Sequence, residues 1–253
     1  MAHWKPIDDI LVAANVAQDL VNKLGGEERI KRIQSGELVF VERSAQAAVA
    51  SGDNGGVSYA SVLDVEAFLD DWAKYLKDVF SVGMPSRKKL VLPKVRQGFG
   101  WGIVRVPDLS AQSMLNALRP RFDGKLWQWC QDIDAVRDIN KEARTTTKKG
   151  AYVVWCRDRI EADEEHKNRS ANDLAELGIN CMTEPERIAL EGWFHWKTGG
   201  HLDIKNVTLS AGSCYLVGDV PYAYWRSSYG FYVSGYGVGD RHSGIRAREV
   251  VSL

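Results

Sequence analysis

Three stretches of the sequence hold side chains able to do chemistry. Glu161-Ala162-Asp163-Glu164-Glu165-His166 places four carboxylates and an imidazole within six residues, donors of the kind that hold a divalent cation. On a helix, however, Glu161 and Glu165 share a face while Asp163 and Glu164 point elsewhere, and no second cluster with ligand spacing lies near. The expectation is a charged face in solvent, pairing with Arg157 and Arg159. His195 and His201 flank Gly199-Gly200 without a glutamate at zinc-protease spacing. Gly98-Phe99-Gly100-Trp101-Gly102 lacks the Lys-Ser/Thr and helix start of a phosphate loop, so an ordinary turn is expected there. G-x-S-x-G, P-loop and dinucleotide fingerprints do not occur. Catalytic residues, metal ligands and a cofactor are therefore not expected, and the chain reads as a non-enzyme.

The informative stretch is Gly218–Arg246. Five of the nine tyrosines, Tyr222, Tyr224, Tyr229, Tyr232 and Tyr236, fall within it, interleaved with Ser, Gly, Arg, Asp and His. Such a mix resembles an antibody combining site, where tyrosine supplies large amphipathic contacts at low entropic cost and Ser and Gly adapt. An edge hairpin of any β-rich domain also collects Tyr and Gly, and that reading stays open. The expected ligand contacts are Tyr222, Tyr224, Arg226, Ser227, Tyr232, Ser234, Gly235, Tyr236, Asp240, Arg241 and His242. If Tyr229–Tyr236 is a strand, alternation sends Phe231 and Val233 to the core and Tyr232 and Ser234 to the ligand.

Lys, Glu, Gln and Met make up 40 of 253 residues, so a neutral window of this length should hold about four or five of them. It holds none. Randomising the adenines of AAC or AAT codons yields Tyr, Ser, Gly, Asp, His, Arg, Asn, Phe, Val and Ala, and never Lys, Glu, Gln, Met or Trp. Trp225 alone violates that set and would be a fixed scaffold position.

The flanking residues resemble the target proteins of diversity-generating retroelements, which mutate adenines in this way. The resemblance is carried by Trp155-x-Arg157-Asp158-Arg159-x-Glu161-Ala162-Asp163-Glu164-Glu165-x-x-Asn168-x-Ser170-Ala171-Asn172-Asp173-Leu174, by Met182-Thr183-x-x-Glu186-Arg187-x-x-Leu190-Glu191, by Thr198-Gly199-x-His201-Leu202-Asp203, by Thr208-Leu209-x-x-Gly212-Ser213 and by Ile245–Ser252. It covers about Leu90–Leu253 and implies a C-type-lectin-like fold whose C-terminal strands and loops display randomised side chains. The calcium-dependent sugar code of true C-type lectins is missing, because Trp225 is followed by Arg226 and Ser227. Calcium-dependent glycan binding is therefore not implied. Formylglycine-generating enzymes share the related fold but use a C-terminal cysteine pair, and Cys214 stands alone near this surface.

The elements that must hold these residues follow from periodicity and punctuation. Ile7, Ile10, Leu11, Ala14, Ala17, Val21 and Leu24 recur at helical spacing before Gly25-Gly26. A strand at Leu38–Val41 and a loop at Ser51–Gly56 follow. A helix over Val62–Phe80 carries the stripe Val65, Phe68, Leu69, Trp72, Leu76 and Val79, which needs a partner, expected to be the first helix or a second copy of the chain. Gly83, Pro85 and Arg87-Lys88-Lys89 read as a linker, dividing a helical module over residues 1–84, for oligomerisation or partner docking, from a ligand-binding domain over residues 85–253. In the latter, strands are expected at Leu90–Val95, Trp101–Val106 and Ala151–Cys156, and helices at Ser110–Leu118, Ile160–Leu177 and Glu184–Lys197, with short strands and glycine-rich turns beyond Val207. The class is α+β.

Thirty-three Lys and Arg balance thirty-three Asp and Glu, so no net field draws the chain to nucleic acid or an anionic membrane. Four widely spaced cysteines form no C-x-x-C pair, which suits reduced, buried roles. The opening residues hold no signal-peptide run and no later segment has the length of a membrane span, so the expected setting is the cytoplasm or a phage particle. The expected partner is a macromolecule, most simply a protein, at the variable surface. Two rivals are an enzyme on the same scaffold and an adaptor whose N-terminal helices do the work.

Overall fold

A computed structural model describes residues 65–253, all within the second of the two units into which the chain divides, Ser58–Leu253. The expected first helix, the strand at Leu38–Val41 and the loop at Ser51–Gly56 lie outside the described residues. Helix α1 (Val65–Phe80) buries Phe68, Leu69, Trp72, Tyr75, Leu76 and Val79, the expected stripe with Tyr75 added and with Val65 only half-buried. Among the described residues its partners are the aromatic side chains of the same unit. Phe68 lies 4.9 Å from Trp155, and Trp72 stacks on Trp193 at 5.9 Å with ring planes 7° apart. The position expected as a boundary, Met84 and Pro85, lies inside the unit Ser58–Leu253, and the stripe is packed into that unit's core. The helix can approach this closely because Gly102 faces it: a Cβ there would overlap the rings of Phe68 and Trp155.

Two sheets follow. Strand β4 (Ala151–Cys156), the continuous apolar run, is wholly buried at the centre of the first, as a strand covered on both faces should be. Strand β2 (Trp101–Arg105) lies antiparallel along one edge of it. The other edge is shared by β1 (Leu90–Val91), parallel, and β9 (Val250–Val251), antiparallel. The second sheet has the order β3 (Leu126–Gln128), β7 (Gly230–Tyr236), β6 (Val220–Arg226), β5 (Val207–Leu209), β8 (Ile245–Ala247). With short helices α3 (Ile133–Val136) and α4 (Thr146–Lys149) in the connections, the architecture is mixed α+β. Among the described residues no helix is long and apolar enough to cross a membrane.

Local signals explain the helices that pack between the sheets. Helix α2 (Ala111–Leu118) is capped by the Ser110 hydroxyl, which accepts the Ser113 N–H. Helix α6 (Glu184–Thr198) opens on the Thr183–Glu186 capping box with Pro185 in its first turn, and stops at Gly199 in the left-handed region, as such signals dictate. The helix expected over Ile160–Leu177 is shorter. Asn168 takes φ +56°, and the reciprocal bonds of Ser170 and Asp173 start α5 (Ala171–Glu176) only after it. The acidic run becomes a 3-10 turn at Glu164–His166 instead.

The second sheet is covered unequally. Its inner face, with Leu126, Ala223, Phe231 and Val233, packs on the main core. Its outer face is roofed on the β5 and β8 side by α5 and the chain after it, where Leu174 and Cys181 meet Leu209, Val220, Ile245 and Ala247. Among the described residues the β6, β7 and β3 side has no such roof, although Tyr222 and Tyr236 pack against the margin of the roofed part. Both sheet edges are occupied: the Arg119 guanidinium donates to the Leu126 carbonyl at 2.7 Å on β3, while the N–H groups of Asp163 and Asn168 donate to the Ala247 and Ile245 carbonyls of β8 at 3.1 and 3.0 Å.

Charged side chains hold the interior together. Arg187 donates to Asp203 at 2.9 Å and to Glu191 at 2.8 Å, and Arg248 donates to Asp203 at 2.7 Å. Arg144 forks onto Glu186 at 2.8 and 2.9 Å, and the Tyr152 hydroxyl joins at 3.0 Å. Glu184 differs, because among the described residues only the Tyr215 hydroxyl, at 2.5 Å, hydrogen-bonds its carboxylate. Burial pushes its pKa up to about 8. A raised acid favours folding fully below its unfolded pKa of about 4.3, and that contribution is lost as pH rises through the folded value. Glu184→Gln is thus expected to unfold at higher urea than the parent at pH 8 and at the same urea at pH 4. Equal midpoints at both pH values would show that Glu184 ionises in the fold without cost.

Candidate ligand-binding surface

Strands β6 and β7 form an antiparallel hairpin in which Tyr222 pairs with Ser234, Tyr224 with Tyr232 and Trp225 with Phe231. Alternation along each strand sorts the side chains as expected. Phe231 and Val233 are 0% exposed, while Tyr232 and Ser234 turn to the unroofed face. The hairpin turns at Ser227, Ser228 and Tyr229, all exposed, and re-enters at Gly230 with φ +85°. A Cβ at Gly230 would collide with the Lys125 carbonyl, so glycine lets β7 and β3 approach.

The result is an aromatic field. Tyr222 lies 4.3 Å from Tyr236 and 6.0 Å from Tyr224, and Tyr224 lies 5.3 Å from Tyr232. The hydroxyls of Tyr224 and Tyr229 are 3.1 Å apart. Burial raises the pKa values of Tyr222, Tyr224 and Tyr232, and neighbouring phenols add to the effect. These hydroxyls therefore stay protonated at neutral pH, each able to donate and accept one hydrogen bond or more. The Arg226 guanidinium lies 4.9 Å over the Tyr224 ring and donates to the Ile204 carbonyl.

Five of the expected contacts, Tyr222, Tyr224, Tyr232, Ser234 and Tyr236, share this face, with Arg226 and Ser227 at its turn end. Gly235 does not: a Cβ on it would point at Asp219 and at the Tyr215 ring, 3.1 and 3.2 Å away, so it belongs to the inward set. Asp240, Arg241 and His242 lie in the exposed loop between β7 and β8, the first and last bonded within it and Arg241 to α5. Asp240 accepts the Gly237 N–H at 2.9 Å, His242 accepts the Gly244 N–H at 3.0 Å, and Arg241 forks onto Asp173 of α5. Trp225 turns inward and stacks on His201 at 3.2 Å, with Phe122 edge-on at 5.7 Å.

No family model, curated protein or solved structure matches the chain. Its own chemistry is what characterises the surface: neutral phenols, small residues and an unroofed half of a sheet. Among the described residues no group of three or more His, Cys, Asp and Glu side chains is placed to hold a metal. The acidic run is spent on structure. Asp163 accepts from Arg157 at 2.6 Å, Glu165 from Arg159 at 2.6 Å, Glu164 from Arg246 at 2.7 Å and Glu161 from two backbone N–H groups. Pairing with Arg157 and Arg159 matches expectation, but Asp163 and His166 are buried, not on a solvated face. His201 bonds Glu191 at 2.8 Å and His195 bonds the Gly200 carbonyl at 3.2 Å. Trp127, on β3, lies on the aromatic face and was not among the expected contacts. Its register opposite Tyr232 is what places it there.

Proposed function

We propose that the chain is a ligand-binding protein, receptor- or adhesin-like, whose Gly218–Arg246 surface is diversified by retroelement-directed adenine mutagenesis on a C-type-lectin-like scaffold. The observation that supports this reading is the separation of duties in the β6–β7 hairpin. Tyr222, Tyr224, Tyr232, Ser234 and Tyr236 collect on the unroofed face, while Ala223, Phe231 and Val233 are packed in the core. One set can change while the other keeps the domain folded. The resemblance of the flanking stretches and the missing Lys, Glu, Gln and Met supply the genetic half of the reading. The partner is a macromolecule, and a protein suits the phenol-rich surface best.

Sequencing sibling copies of the gene in a population tests it. Differences are expected at Tyr222, Tyr224, Arg226, Ser227, Tyr232, Ser234, Tyr236, Asp240, Arg241 and His242, with Trp225, Phe231, Val233 and residues 245–252 constant. Differences spread evenly along the chain, or Lys and Glu appearing at those positions, would reject the reading.

A further inference from the structure

The aromatic face extends past the hairpin onto the edge strand. Leu126, Trp127 and Gln128 pair in register with Phe231, Tyr232 and Val233, so Trp127 shares the outward parity of Tyr232, which in turn pairs with Tyr224. These three residues form one row across β3, β7 and β6. The Trp127 ring stacks on Tyr232 at 4.1 Å with planes 11° apart. Among the described residues β3 ends the sheet and no further strand lies beyond it, and 42% of Trp127 is exposed.

Ring orientation says what this row can bind. Within the row Trp127 and Tyr232 are 11° from parallel and Tyr232 and Tyr224 are tilted by 35°, while Tyr222 beside the row is within 13° of parallel to Tyr224 and Tyr229 stands edge-on to Tyr224 and Tyr232. Each tyrosine of the cluster thus has another ring against it, which leaves fewer open ring faces than hydroxyls for a ligand. Sugar recognition by stacking wants several bare ring faces, whereas hydroxyl rows suit the backbone amides and polar side chains of a protein. The indole at the end of the row has one ring neighbour among the described residues, Tyr232. Tryptophan is also the residue that adenine changes in AAC or AAT codons never produce, and Trp127 lies outside Gly218–Arg246.

We propose that Trp127 is a constant anchor of the binding surface, receiving an apolar or aromatic side chain of a folded protein partner while the neighbouring tyrosines choose which partner. This inference rests on the proposed function. A large exposed aromatic beside near-neutral contacts is the usual site of a binding hot spot. A fixed anchor gives every diversified sibling the same starting contact, to which the hydroxyl pattern adds selectivity.

The test uses the full chain displayed on yeast, with Tyr222, Tyr224, Tyr232, Ser234 and Tyr236 re-randomised by adenine substitution of AAC codons. One arm selects for binding to lysozyme and the other for binding to mannan, a polysaccharide. In lysozyme binders, Trp127→Ala is expected to weaken affinity about tenfold or more with the thermal midpoint unchanged, and Trp127→Phe, which keeps a ring face, to retain most of it. Lysozyme binders that tolerate Trp127→Ala, or that lose as much with Trp127→Phe, overturn the anchor while leaving the proposed function standing. Binders from the mannan arm alone overturn the choice of a protein partner. A library with no binder in either arm rejects the proposed function, and this inference with it.

Discussion

Truncating Phe231 to alanine is expected to lower the unfolding free energy by about 3–5 kcal/mol, the usual cost of removing a buried aromatic ring. Phe231 is 0% exposed, lies 6.1 Å from Phe122 and has the Arg187 guanidinium 5.3 Å from its ring, so the cavity would open beside a buried charge. Tyr232, the next residue, is expected to behave differently. Its ring rests on Trp127 and Tyr224 at the unroofed face, and Tyr232→Ala should cost no more than about 1 kcal/mol. Denaturant melts of the two variants measure both. A larger loss for Tyr232→Ala than for Phe231→Ala would mean that the hairpin sits one residue out of the described register, and every outward residue would change sides.

Asp203→Ala should be as severe, for a different reason. The Asp203 carboxylate accepts from Arg187, from Arg248 and, at 2.5 Å, from the Thr208 hydroxyl, and all of them are buried. Deleting it leaves Arg187 with Glu191 as its carboxylate partner and takes from Arg248 the carboxylate it pairs with, and breaking a buried pair in this way costs about 3–5 kcal/mol. Failure to fold at 37 °C is the extreme form of the same result. The pH dependence carries a separate signature. Burial pulls the Asp203 pKa up, but Arg248 and Arg187 pull it down further, and the net value lies below the ordinary carboxylate range. An acid lowered by folding stabilises above its unfolded pKa of about 3.9, and loses that contribution as pH falls through the folded value. Asp203→Asn should therefore flatten the acid limb of the stability curve. Parallel acid limbs for the parent and Asp203→Asn would show that this carboxylate does not govern acid unfolding.

The two predictions mark where sequence reasoning reached and where it stopped. Period-2 alternation around Phe231 and Val233 is a local property of an extended chain, so the hairpin's two faces were legible before any coordinates. The capping box at Thr183 and the buried run Ala151–Cys156 were legible for the same reason. The role of α1 was not, because a stripe such as Phe68, Trp72 and Leu76 announces that it needs a partner without naming one, and Trp155 and Trp193 are far away in sequence. Charge was the poorest guide. Arg187, Glu191, Asp203 and Arg248 look like surface residues in composition, and only tertiary pairing makes their burial tolerable. Asn168 in the left-handed region broke a helix that the acidic run alone would have continued. Trp127 escaped notice because three residues of β3 are too few for a periodic signal, and its place on the aromatic face comes from register with a strand more than a hundred residues on. Gly235 was misjudged by composition: it has the small side chain of an adaptable contact, yet Tyr215 lies against it.

The closed edges of the second sheet bear on aggregation. A β-rich face of tyrosines and tryptophan has the makings of a template on which further chains could add as strands. Stacking of that kind begins at an unpaired backbone edge. Here Arg119 occupies a carbonyl of β3, and the backbone at Asp163 and Asn168 occupies those of β8, in each case using residues outside Gly218–Arg246. These guards against fibril growth are thus held by residues away from the aromatic face, so a change of side chain on that face leaves them in place.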